Sequence, residues 1–324
     1  MIWPPKLQGI IVSSYFWGYL FGQLPGARLA EDLSAKWTFY GGVSAHIVGS
    51  LLTPLATYMH FSIIIALRVI QGVAGGFTNP AMHCLLTKWA PPHERNTITS
   101  FIYNGSVIGT VKRKVVQWKA ILTNGPVWVL IVSHIALSWG WYIYLTQLPL
   151  YMNMVLKFKM NENGAVTALP FFCMFLFSIA YGKFADFLAE KEKLSITNIR
   201  KLSTVISSGI PAICCIVIPL VTDRILAVAV MTIHMTFLGS IFSGFLQVHI
   251  DLASNFAGTL MSITNTFATL TGISVPIFVG WAIDRDPSVA SWRLIFWVST
   301  GFYVIHVLTF SIFGTSKEQK FNQP

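Results

Sequence analysis

Charge is what this sequence has least of. Only 10% of its 324 residues are Asp, Glu, Lys or Arg, against about 25% in soluble domains. Acidic residues are scarcest, 12 against 22 basic ones. With 54% hydrophobic residues and a mean hydropathy of +0.63, a water-exposed globule is excluded and an integral membrane protein is expected. Cysteine is nearly absent too. Cys84, Cys173, Cys214 and Cys215 all fall inside apolar runs, so they read as small core residues and no disulfide framework is implied. No GxxxxGK[ST] loop is present for phosphate binding and ATP coupling. Neither CxxC nor HExxH supports a metal site, and no catalytic constellation appears. The opening MIWPPK lacks the n-region, h-region and cleavage site of a leader. The net charge of +10 sits in short loops between apolar runs, so nucleic acid is not an expected partner.

Long apolar runs take the place of charge. Nine reach spanning length, within about three residues at either end: 7–25, 37–58, 61–86, 126–152, 165–188, 203–221, 225–248, 256–283 and 292–313. Continuous runs of this length exclude a β-barrel, whose strands are short and alternating. The stretch 96–111 (NTITSFIYNGSVIGTV) is shorter and has a polar middle, with Lys112, Arg113 and Lys114 behind it. If it stays inside, fifteen of the 22 basic residues lie in inside loops, six outside and Arg68 in the membrane. If it spans, that bias collapses, so nine spans with the N-terminus outside is the expected topology. The sequon-like Asn104-Gly105-Ser106 then faces the cytoplasm, where it would not be glycosylated.

The third run carries the most information. Arg68 stands in an otherwise uncharged segment, and a guanidinium cannot shed its charge. Facing lipid would cost it several kcal/mol or more, so it should face a bundle interior or an aqueous cavity where an anion could pair with it. An arginine about two turns from a helix end can also snorkel to the surface. Gly72, Gly75 and Gly76 give the same helix a bare face for close approach of another helix or a substrate. Two prolines, Pro91 and Pro92, then stop it. His134, Ser138 and Tyr142 share one face of the fourth run at fourfold spacing and could line a cavity together, although Tyr142 could equally be an interfacial aromatic.

RVIQGVAGGFTNPAMH with KWAPPHER (68–95) resembles the signature after the third-to-fourth span connection of the anion transporters related to sialin, the sodium/phosphate cotransporters and the vesicular glutamate transporters, within the major facilitator superfamily. SSYFWGYLFGQLPG (13–26) resembles that family's second helix and residues 118–152 its seventh. Residues 181–202 resemble its loop between helices eight and nine, and 243–266 its helices ten and eleven. In texture the insect phosphate-cotransporter-like branch is nearest. The resemblance implies an all-α membrane protein, a major facilitator-type helix bundle with about nine of twelve expected spans. Residues 1–111 would be a remnant of the N-terminal half and 112–324 the six-helix C-terminal half. The first span, most of the fifth and all of the sixth would be absent, with the junction near Val111 and Lys112. A truncated isoform, a decayed gene or an incomplete gene model would each produce this, and such a chain need not transport.

What the resemblance implies for individual residues follows. Arg68 would meet the anionic group of a small substrate in the central cavity, with His134, Ser138 and Tyr142 as further substrate-binding candidates. His83 would be the coupling candidate for a co-transported proton, sodium being the other ion; a packed histidine with a backbone partner fits equally. Gly75 departs from the glutamate that proton-coupled members carry two turns after the arginine, which puts proton coupling in doubt. Leu137 stands where glutamate carriers have an arginine, which argues against glutamate. Gly182 and Asp186, with Arg200 and Lys201, fit the superfamily's cytoplasmic gating loop, whereas the matching loop of the first half is degraded to Glu31, with Trp37 in place of a basic residue. His249 and Asp251 end a span on the cytoplasmic side, where a helix-end salt bridge or hydrogen bond is expected. A sodium or proton gradient rather than a cofactor would drive uptake of a phosphate or carboxylate, in the plasma membrane or an endomembrane.

Overall fold

The computed structural model describes residues 5–89, 117–158, 160–286 and 288–322. The stretch 96–111 and the junction near residue 112 lie outside them. All described secondary structure is helical. In chain order the α-helices are α1 (Pro5–Leu29), α2 (Ala35–Met59), α3 (Phe61–Trp89), a short α4 (Trp118–Leu122), α5 (Gly125–Met154) and α6 (Met160–Glu190). Then come α7 (Ile196–Val217), α8 (Arg224–Leu238), α9 (Phe245–Leu252), α10 (Ala257–Arg285) and α11 (Val289–Phe313). Each of the nine apolar runs falls on helix, and seven spans meet both a length and a hydropathy criterion for crossing a membrane. The two runs outside those seven are α1 and α2, which are helices of 25 residues each.

Local chemistry sets the helix ends. Asn124 caps α5 through Val127 N–H at 3.3 Å, and Asp223 caps α8 through Leu226 N–H at 2.8 Å. One span is discontinuous: α8 gives way to a 3₁₀ turn at Gly239–Ser243 before α9 resumes. Breaking a helix inside a bilayer frees carbonyls that water cannot reach. Arg200 answers one of them, its Nη1 donating to the Ser243 carbonyl at 2.7 Å.

α1 packs along α3, with α2 on the other side of α3. The glycines explain how close that approach is. A side chain at Gly72 or Gly76 would collide with the Tyr15 and Tyr19 carbonyls, and one at Gly18 or Gly22 with those of Val69 and Val73. In the second half α5 packs on α10 and α11, α7 on α11, and α6 on α8. The two halves meet where α1 and α3 lie against α10, and that seam carries the polar groups described next.

Candidate anion site and polar seam

Arg68 is half-buried on α3, and its Nε is shielded from solvent with no hydrogen-bond partner among the described residues. Tyr15 of α1 and His46 of α2 bond to each other, His46 Nε2 to the Tyr15 hydroxyl at 3.1 Å. The Tyr15 hydroxyl occupies the space that any side chain at Gly75 would need, and a Cβ there would stand 3.3 Å from His46 Nε2. Tyr15 of α1 and His46 of α2 thus meet at Gly75 of α3, two turns along the helix that carries Arg68.

From Tyr15 the seam runs along α1 toward Glu31 and the start of α10. Tyr15 stacks on Tyr19 with ring centroids 5.8 Å apart. The Tyr19 hydroxyl accepts from Asn79 Nδ2 of α3 at 2.7 Å and from Asn265 Nδ2 of α10 at 2.9 Å, which ties the two halves together. Tyr142 approaches from α5, edge-on to Phe16 at 4.8 Å. Ser138 and His134 follow on the same face of α5, all three buried. His134 Nδ1 lies 3.0 Å from the Thr264 hydroxyl, and His249 Nε2 lies 2.9 Å from that same oxygen.

Hydrogen-bond bookkeeping orders this triplet. His249 Nδ1 faces the Leu246 carbonyl at 3.2 Å, and a carbonyl can only accept, so Nδ1 carries the hydrogen. A neutral His249 then accepts at Nε2 from Thr264, whose oxygen accepts in turn from His134 Nδ1. The Thr264 hydroxyl has a second acceptor in the Met261 carbonyl at 3.2 Å. His83 joins at the end, its ring 5.7 Å from that of His249. His83 therefore belongs to a histidine cluster, separated from Arg68 by fifteen residues of helix, about 22 Å.

Two sets of charge contacts lie at the other end of the seam. Arg200, buried, clamps Asp251 through Nε at 2.8 Å and Nη2 at 3.3 Å. Asp186 lies one helix earlier on α6, and Lys201 is half-buried beside Arg200. In the other half Glu31, in the π-helical turn Ala30–Ser34, reaches across the seam to the start of α10. Its carboxylate accepts from Thr259 N–H at 2.6 Å and from the Thr259 hydroxyl at 2.5 Å. Arg28 holds both Glu31 (3.3 Å) and Asp32 (2.7 Å). Burial pushes the Glu31 carboxyl above the usual carboxylate range, with the Thr259 bonds and Arg28 opposing that shift. The sequence shows this loop reduced to Glu31, and that residue still bridges to the second half.

Tyr15, Tyr19, His46, Asn79, Asn265 and Thr264 were not singled out from sequence. Tyr15 and Tyr19 do stand four apart in an apolar run, a spacing that places both on one helix face. His46 is a lone histidine in α2 and gives no pattern to read.

The family model for the Major Facilitator Superfamily matches residues 2–112 and 110–276. Human sialin is 29% identical over an alignment covering 98% of this chain and 77% of sialin. A putative inorganic phosphate cotransporter of Drosophila melanogaster is 29% identical, covering 99% and 74%, and vesicular glutamate transporter 1 of Xenopus tropicalis is 27% identical, covering 99% and 68%. The alignment with human sialin runs over 382 positions, 58 more than the 324 residues of this chain. Among solved structures, the proton:xylose symporter XylE superposes with a TM-score of 0.73 at 12% identity, over 96% of this chain and 87% of that one. The E. coli fucose:proton symporter FucP reaches 0.63 at 13% identity, over 94% and 91%. Both are similar in fold. The chain belongs to the Major Facilitator Superfamily, as a multi-pass, non-enzymatic membrane protein related to the sialin, vesicular glutamate and phosphate-cotransporter carriers.

Proposed function

We propose that the chain binds a small anion, a phosphate or a carboxylate, at Arg68 and serves as a secondary transporter driven by a proton or sodium gradient. The observation that carries this reading is the shielded Nε of Arg68, without a hydrogen-bond partner among the described residues, on the helix that packs against both α1 and α2. An arginine that only snorkelled would leave its guanidinium in water, and a structural one would have its donors taken, as Arg200 does. His134, Ser138 and Tyr142 would extend the site from the opposite half, and His83 would act through the cluster it shares with His249. The contacts of Arg200 with Asp251 and of Glu31 with Thr259 would hold the cytoplasmic side shut while the anion enters from the other side. In that scheme Gly182, Asp186, Arg200 and Lys201 gate and do not bind substrate. The relatives' names fit an anionic cargo, and Leu137 argues against glutamate.

A second reading is favoured by the 58 alignment positions in excess of the chain's length. Helices missing from a carrier of this fold would leave small-residue faces unpaired and part of the cavity open to lipid. The chain would then bind anions without carrying them. Reconstitution into liposomes separates the readings. Uptake of labelled inorganic phosphate or of a carboxylate that falls to background in Arg68→Ala is the expected result for a carrier. Binding that depends on Arg68 without any uptake supports the second reading. Binding unchanged in Arg68→Ala would overturn both.

A further inference from the structure

We propose that residues 314–322, which follow α11, form a strap that holds α7, α9 and α10 together around the Arg200–Asp251 pair, and that this end of the bundle parts only when the strap lifts. The inference does not depend on what Arg68 binds, and it would hold equally for a chain that binds anions without carrying them.

The strap's contacts bracket the ion pair on both sides. Ser316 N–H donates to the Thr197 hydroxyl at 3.1 Å, on α7 just before Arg200. Gln319 N–H donates at 2.9 Å to the carbonyl of Leu252, the residue after Asp251 on α9. The Gln319 side-chain oxygen accepts from Asn124 Nδ2 at 3.1 Å, which adds the cap of α5 to the same anchor. Asn322 then fastens the turn between α9 and α10, where two helix ends leave backbone groups that neither helix satisfies. Its Oδ1 accepts from Asn255 N–H at 2.9 Å and its carbonyl from Asn255 Nδ2 at 2.8 Å. Its Nδ2 donates to the Glu318 carboxylate and, at 3.4 Å, to the Ser254 hydroxyl. Its own N–H bonds the Gln319 carbonyl at 2.9 Å. Every polar atom of Asn322 is thus spent, the residue is buried, and Phe321 beside it sits in the main apolar core.

This geometry makes the strap a tether. Ser316 and Gln319 are three residues apart, so their anchors on α7 and α9 are joined by a chain that reaches at most about 11 Å. Motion that draws Arg200 from Asp251 also draws Thr197 from Leu252, and one anchor must give way. Residues 252–255 lie between Asp251, held by Arg200, and Thr259, held by Glu31. Fixing that turn ties the two contacts to each other, and one release loosens both.

Hydrogen–deuterium exchange of the full chain in lipid nanodiscs tests this, read on peptides covering 196–203, 251–259 and 314–322. In the wild type the three should exchange slowly and together, as one cooperative unit. Asn322→Asp keeps the shape and the oxygen that meets Asn255 N–H, but replaces a donor with a carboxylate facing Glu318. Exchange should quicken at all three sites by about tenfold or more, the effect of losing two hydrogen bonds, with α6 and α8 unchanged. A chain ending at Gly314 should match it. Adding Glu318→Gln to Asn322→Asp puts a donor back opposite the new carboxylate and should return most of the protection, which separates release of the strap from misfolding. If 196–203 and 251–259 exchange as in the wild type in both Asn322→Asp and the shortened chain, the strap holds nothing and the proposal is overturned. Exchange that quickens alike in every helix, or that Glu318→Gln does not slow, overturns it as well. None of these outcomes bears on anion binding at Arg68.

Discussion

The two ends of the seam between the halves treat their charges in opposite ways. At one end Arg200 spends three donors on Asp251 and the Ser243 carbonyl, and Glu31 accepts from both the amide and the hydroxyl of Thr259. Toward the other end Arg68 keeps a buried Nε with no partner among the described residues. Both are arginines in an apolar chain, and removing either from water costs the same kind of desolvation. The saturated one can only hold elements together or let them go. The unsaturated one has binding capacity left over, and an anion is what would use it. The same contrast separates Asp251, clamped from one side, from Gly75, where a side chain is missing and a tyrosine hydroxyl from another helix has moved in.

The largest expected effect lies at the saturated end. Asp251→Asn removes the countercharge of a buried guanidinium and leaves Arg200 with an uncompensated charge against the broken span. Losing one partner of such a pair costs about 3–5 kcal/mol. A fall in melting temperature in detergent, larger than that of any Arg68 variant, is the expected outcome. Equal melting temperatures for Asp251→Asn and Arg68→Ala would erase the distinction between the two ends.

A smaller loss is expected midway along the seam. Thr264→Val keeps the shape of the side chain but deletes the hydroxyl between His134 and His249. Two buried ring nitrogens lose their shared partner, at about 1–3 kcal/mol for each group left unsatisfied. Thr264→Ser keeps the hydroxyl and should recover most of the loss. Melting curves of the two variants side by side decide this. If Val and Ser behave alike, the triplet contributes packing and no hydrogen-bond order.

Much of the architecture was legible in the sequence, because the bilayer imposes a length rule that isolated runs satisfy one by one. Every apolar run became helix, and the glycines after Arg68 did mark a face where another backbone comes close. The His134, Ser138 and Tyr142 face was readable from fourfold spacing for the same reason. The partners of these residues were not readable. Tyr15 meets His46 across 31 positions, Asn265 meets Tyr19 across 246 and Thr259 meets Glu31 across 228. No local period encodes such pairs; the packing of α1 and α3 on α10 creates them. His83 shows the converse. It shares a helix with Arg68, which invites a joint role, yet its ring faces His249 of the other half.

The smallest effect should come from Glu31, and it tests whether its contact with Thr259 is a latch or a fixture. Its carboxyl titrates above the ordinary carboxylate range while buried against Thr259, chiefly because burial disfavours the charge. In an opened arrangement the carboxyl would return to water and to its ordinary value. The closed arrangement therefore binds the proton more tightly, and acid favours it. As pH rises from the ordinary carboxylate value through the raised one, closure weakens, and above that it no longer changes. Cys84, buried beside Gly258 and Glu31, reports on this contact. With Cys173, Cys214 and Cys215 all replaced by Ser, maleimide labelling of Cys84 should accelerate with pH more steeply than thiol ionisation alone requires. Glu31→Gln cannot titrate, so its labelling should follow the thiol alone. If the two slopes coincide, Glu31 stays sheltered throughout and the contact with Thr259 joins the halves permanently.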